Sequence, residues 1–417
     1  MRFSLLIITL LFQTVSLTAQ PTNEISLSSE QVASIKSQGT KAIETILADL
    51  NIQINDYPSI EIFTKEVISK QIIATGSVDA TKEIVNNFIL SLMPLAQTEE
   101  TDFVKTIEVT SAGSAEGAVI AAIQLGTNIN KAISNASSGS TEAAIEASIT
   151  SNTDVSGAIS AASSGSTAGA IEATIHSSID QVASASAASA GALEAAIVAS
   201  EKAGINIITA IENSSIGAAE GAVEASVIQN GDVFANIKAA SSGSVSAAIN
   251  VTADLGINTN KAIEAASSGS TAGTIKAISL LGDNSRIILN PESVNLDEAI
   301  AAAASGSSSG AINASEDAQI NSADAIDAAT YGSTSGAIGA SIEAGIDVSE
   351  ASESVAEGVT ETKIEVEAEV EAEAEVEAEV EAEVEAEVEV EAEVEALPII
   401  PTPFEDDPAI RRVSPTV

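Results

Sequence analysis

The residue nearest to catalytic chemistry is His176, the only histidine in the chain. A nucleophile-base or metal-histidine site needs an imidazole oriented by a second group. The corresponding positions in the other repeat units are Gln124, Thr150, Lys202, Ile228, Asp254, Leu280, Asp317 and Glu343. A place filled so freely reads as solvated surface. No HExxH, Walker-type loop or dinucleotide fingerprint is present. The SSGS stretches are glycine-rich, but they lack a partner lysine and recur once per unit, as turns do. Without cysteine there is no thiol nucleophile and no disulfide. The sequence therefore assigns no catalytic, cofactor-binding or metal-ligating residue, and no cofactor.

Two further patterns invite chemistry. An Asn or Asp recurs at Asn128, Asp154, Asp180, Asn206, Asp232, Asn258, Asn284, Asn321 and Asp347. Calcium-binding β-rolls also use periodic Asp, but with much shorter repeats and several carboxylates per turn. Here Asn serves as often as Asp. That indifference fits a helix N-cap, which needs only a side-chain oxygen. The place two residues after the repeat glycine reads Ala115, Thr141, Thr167, Leu193, Ala219, Val245, Thr271, Ser308 and Thr334, too mixed for an ice-binding threonine lattice.

The elements that would carry these residues follow from a period of 26. Glycine returns at Gly113, Gly139, Gly165, Gly191, Gly217, Gly243 and Gly269, and again, after eleven extra residues, at Gly306, Gly332 and Gly358. Such a period marks a stacked array. Six residues after each of the first nine glycines stands Ile or Val, and two earlier stands Gly or Ala. Small residues beside one β-branched knob let helix axes approach to about 8 Å. The expected fold is all-α, an α-solenoid of 26-residue helix-turn-helix repeats over residues 102–358. Each unit is read as two helices of about ten residues. One opens after the register glycine, as at Ser166. The other opens at the Asn/Asp cap. Gly126, Gly204, Gly256, Gly282 and Gly345 would stop the first of them. A β-solenoid is weighed against this, but strict period-2 alternation is missing. A largely disordered Ser/Gly/Ala chain is the other alternative. Runs such as AIEA favour helix over both.

Residues 1–20 read as a signal peptide, with Arg2 ahead of an apolar run from Leu5 to Leu11 and cleavage near Ala19. That run is shorter than the ~20 residues of a membrane span, and no later transmembrane span is expected. Residues 21–101 read as a small helical domain capping the array. Ser28 and Gln31 form a capping box. Val32 to Leu50 is at helical spacing, a second helix stops near Gly76, and a third is closed by Pro94. The insertion near 285–295 holds Arg286, Ile287, Ile288, Leu289 and Pro291 and reads as a tolerated loop. Residues 359–396 form an acidic Glu-Val/Ala stalk, expected to be disordered, and 397–417 a proline-rich irregular tail.

The formal charge of −44 excludes nucleic acid as a partner. It points to cationic surfaces, basic proteins and divalent cations, the last held weakly by the stalk. The expected function is non-enzymatic: an exported structural or interaction protein at the cell surface or periplasm. The alternative is a polyanionic buffer for divalent cations or basic proteins.

Overall fold

A computed structural model describes residues 25–98, 101–175, 177, 179–283 and 294–364. The proposed signal peptide, His176, Asn284, most of the insertion and nearly all of the acidic and proline-rich segments lie outside these. No strand occurs among the described residues. The chain divides into two units, 1–362 and 363–417, and only the first is described at length.

The all-α solenoid is present, but a repeat is one helix rather than two. The array helices are α5 (Phe103–Leu125), α6 (Ile129–Ser151), α7 (Val155–Ile175), α8 (Gln181–Ala203), α9 (Ile207–Gln229), α10 (Val233–Leu255), α11 (Thr259–Asp283), α12 (Leu296–Asp317) and α13 (Ser322–Ala344). Residues 348–364 form α14. Each begins at the Asn/Asp position, and the caps are explicit. Asn128 accepts from the Lys131 amide at 3.0 Å, Asp180 from Ala183 at 3.1 Å and Asp232 from Ala235 at 3.0 Å. The cap of α12 is Asn295, at the far end of the insertion. The helices end in left-handed residues at Gly126, Gly204, Gly256 and Gly345, and Asn152 and Asn230 do the same work where glycine is missing. Gly282 does not stop its helix, which continues to Asp283.

The register glycines do not separate two short helices, as their spacing suggests. They sit mid-helix, inside interhelical contacts. A Cβ on Gly165 would stand 2.0 Å from the Glu108 carbonyl oxygen of α5, and one on Gly169 2.3 Å from that of Ala112. Gly217 and Gly221 of α9 meet Ser160 and Ser164 of α7 in the same way. Glycine is thus used for approach, not for breaking, and the neighbouring knob compensates its poor helix propensity. Ser166, read as a cap, is fully buried and donates to the Ala162 carbonyl one turn back. Ser111, Ser114 and Thr174 make the same back-bond.

These contacts join helices two apart in sequence. Odd-numbered helices therefore stack in one layer and even-numbered helices in another, parallel within a layer because Gly165 and Gly169 follow Glu108 and Ala112 in the same order. One full turn of the solenoid consumes two sequence units. Ile133, Ile159, Ile171, Ile211, Ile237 and Ile263 are among the buried knobs. Each stabilises by about 2–3 kcal/mol relative to an exposed side chain.

The N-terminal helices are continuous with this scheme. They are α1 (Ser29–Gln38), α2 (Thr40–Asp49), α3 (Tyr57–Thr75) and α4 (Thr81–Thr98), with a 3-10 turn at Val78–Ala80. The Ser28/Gln31 capping box is present. The run expected as one helix from Val32 to Leu50 breaks at Gly39, whose φ of 54° and ψ of −127° suit only glycine. Pro94 lies inside α4 and does not end it. Burial of Leu92, Met93 and Ala96 holds the last turn on despite the lost backbone bond. α3 is the first member of the odd layer and α4 of the even layer: Gly113 presses on the Glu61 carbonyl and Gly139 on that of Lys82. The large residues of this region, among them Phe63, Phe88 and Ile89, form the thickest part of the core.

Helix α8 is long and apolar enough to cross a membrane by length and composition. The sequence suggests no such later segment. The most apolar window of α8 is 61% buried within the array.

Candidate functional site

Parallel stacking with a one-turn offset decides which side chains meet along a layer. The residue seven after a register glycine faces the residue three after the glycine of the preceding helix in that layer. Lys276 and Glu220 illustrate it, with Nζ 2.6 Å from the carboxylate. Through the same relation Glu172 of α7 meets Glu116 of α5, which in turn meets Glu61 of α3. Their carboxylate oxygens lie within 4.8 Å of one another, all three side chains half-buried. The Lys65 ammonium is 2.9 Å from Glu116.

Electrostatics follow from this crowding. Burial pushes the Glu61 carboxyl up to about 8, helped by the proton it shares with Glu116 and by repulsion from Glu116 and Glu172, against the pull of Lys65. Burial also raises Glu172 to about 7, with Glu116 and Glu224 adding repulsion. Further along the layer Glu220 and Glu224 are raised as well, again chiefly by desolvation. Glu108 is bound by Lys105 at 2.9 Å.

Glu108, Glu220 and Glu224, though not the Glu61, Glu116 and Glu172 cluster, border a cavity of about 530 Å³ between α5, α7, α9 and α11. Val104, Ile216, Val223 and Leu280 give it an apolar floor, and Glu108, Asp154, Glu220 and Glu224 an acidic wall. Lys276 is the cation among its lining residues. The arrangement can share protons and attract cations. As a metal site, Glu61, Glu116 and Glu172 offer three carboxylate oxygens, the donor type calcium takes, against the roughly six to eight it requires.

The sequence alone assigns no ligand and does not single out these glutamates. Their signal is a spacing of about two repeat units, which becomes meaningful only once alternate helices are known to be neighbours. The Asn/Asp series is not gathered into a site. Its members cap antiparallel helices, so successive ones lie at opposite edges of the two layers, each occupied with backbone amides. His176 lies outside the described residues. No protein-family model matches the chain, and no relative was found among curated proteins.

Proposed function

We propose that this chain is a non-enzymatic, exported interaction protein, a helical-repeat scaffold that meets a protein or cell-surface partner at the envelope or in the surrounding matrix. The observation that carries the reading is the acidic, apolar-floored groove of the odd layer, where Glu108, Glu220 and Glu224 outnumber the lysines beside them. Desolvated carboxylates short of counter-charge favour a cationic partner over an anionic one. Export rests on the N-terminal sequence from Arg2 to Ala19. The test is retention of the tagged full chain on envelopes of the parent cell. Glu220→Gln/Glu224→Gln should release it, and a freely diffusing monomer that keeps no partner counts against the reading.

The Glu61, Glu116 and Glu172 cluster favours a second reading, a buffer for divalent cations or basic proteins. Calorimetry of calcium into the full chain, the chain lacking 361–395, and Glu116→Gln separates the contributions. Heat that is equal in all three removes specific buffering by either region.

A further inference from the structure

The stack has a rule that its last odd-layer helix leaves unused. Every register glycine from Gly113 to Gly358 seats on a backbone carbonyl of the helix two before it. On α11 the receiving carbonyls are Glu264 and Ser268, which take Gly332 and Gly336 of α13. The equivalent carbonyls on α13 itself belong to Asp327 and Tyr331, and no described helix covers them. Side-chain exposure registers the vacancy. The knob six after the register glycine is fully buried at Val119, Ile171 and Ile275, yet Ile338 is 37% exposed. Tyr331 and Ile342 on the same face are 67% and 66% exposed.

We propose that this face of α13 docks a helix of another protein, parallel to α13, that carries two small residues four apart and a pair of basic residues ahead of them. The array itself specifies each feature. Two small residues at that spacing are what each earlier odd-layer carbonyl pair receives. The basic pair follows from contacts already made elsewhere in the stack. Ser268, one before its register glycine, donates to Glu212, and Ser354, four before its own, donates to Asp297. At the open end the acceptor matching Glu212 is Asp327. The one matching Asp297 is Asp324, displaced by a single residue and within reach of a long side chain. Both aspartates are exposed, and among the described residues neither has a hydrogen-bond or ion-pair partner. Lysine or arginine at those two places of the incoming helix would pair with them. The partner's motif is thus basic-x2-basic-small-x3-small.

Two other occupants fit less well. In this chain's own sequence after the array, the next register positions fall on Val384 and Val388, whose side chains cannot approach a carbonyl as glycine does, amid seventeen glutamates from 361 to 395. A second copy would bring the same aspartates to the contact, and its described register glycines are already seated. The surface is separate from the carboxylate groove and stands whether or not the groove has a partner.

The probe is a labelled peptide of residues 259–283 carrying Ala265→Lys and Ser268→Lys, titrated into the full chain by fluorescence anisotropy. A control peptide keeps both lysines but has Gly269→Val and Gly273→Val. Saturable binding is expected for the first. It should weaken by about tenfold or more with the control peptide. It should weaken similarly with the protein variants Asp324→Lys/Asp327→Lys and Ile342→Asp, checked for unchanged helicity by circular dichroism. Equal binding of both peptides would mean that the polyanion attracts any basic helix, and would overturn the proposal. Binding unaffected by Ile342→Asp would overturn it too. So would self-association of the chain that Ile342→Asp abolishes, which would give the face to a second copy.

Discussion

At the residue scale the array distinguishes two uses of glycine that look alike in sequence. Gly217 lies where a Cβ would stand 2.0 Å from the Ser160 carbonyl, whereas Gly339, also inside a helix, has nothing within 4 Å of that point. Alanine is the better helix former by about 1 kcal/mol. Gly339→Ala should therefore stabilise by about 0.5–1 kcal/mol. Gly217→Ala should destabilise by about 1–3 kcal/mol, since rigid backbone must move apart. Urea denaturation of the two variants measures the contrast, and a shared sign would refute close approach as the reason for the register. The cap positions give a parallel case. Asp232 accepts from the Ala235 amide at 3.0 Å. Asp232→Ala should cost about 0.5–2 kcal/mol, with and without calcium. A loss seen only in calcium would turn the Asn/Asp series into a metal device.

At the element scale, the contact of α3, α5 and α7 is built around carboxyls that hold protons more tightly in the folded chain than outside it. Glu61 is raised to about 8 and Glu172 to about 7 from an ordinary value of 4.5. The stability tied to them is complete below that ordinary value and is lost as pH climbs through about 7 and then about 8. Thermal melts from pH 5 to pH 9 should show a falling midpoint. Glu61→Gln should flatten the fall and gain about 1–3 kcal/mol at pH 9, less than the full linkage value because the side chain keeps some solvent contact. A midpoint that rises with pH would be incompatible with this packing. How helices meet is the part least legible in the sequence. The period, the Asn/Asp caps, the glycine stops at Gly126 and Gly204 and the Ser28/Gln31 box all express local backbone chemistry, and all are readable. The layers are not local. A glycine at 165 reads as a helix boundary until the Glu108 carbonyl lies opposite it. Even so, a trace is present: from Gly113 to Gly269 the residue four after the register glycine alternates as Gly117, Ala143, Gly169, Ala195, Gly221, Ala247, Gly273, before Gly310 on α12 ends the pattern. That alternation is the two-unit turn of the solenoid written in side chains. The glutamate row depends on the same turn, so it is hidden for the same reason.

At the scale of the whole molecule, one sequence unit is half a turn, so the parity of the array carries information. Each helix contacts mainly its neighbours in the stack, and stability is close to a sum of unit and interface terms. Removing two consecutive units, residues 155–206, takes out α7 and α8 and joins α6 to α9 with every later helix still in its own layer. Removing only residues 155–180 takes out α7 and sends every later helix to the opposite layer. Ala195 would then enter the odd layer on α5, at the place now held by Gly169, where a Cβ would stand 2.3 Å from the Ala112 carbonyl oxygen. Gly221 would conversely leave a gap in the even layer. Each of the misplaced helices α8 to α11 should lose roughly 1–3 kcal/mol through overpacking or a void, whereas α12 and α13 carry glycine at this place in both layers. The shorter chain of the two should accordingly be the more stable one. Its circular dichroism melt should stay cooperative, with a higher midpoint than that of the chain lacking a single unit. If loss of stability simply tracked the number of residues removed, the two layers would be interchangeable and the alternation of Gly and Ala would have no structural meaning.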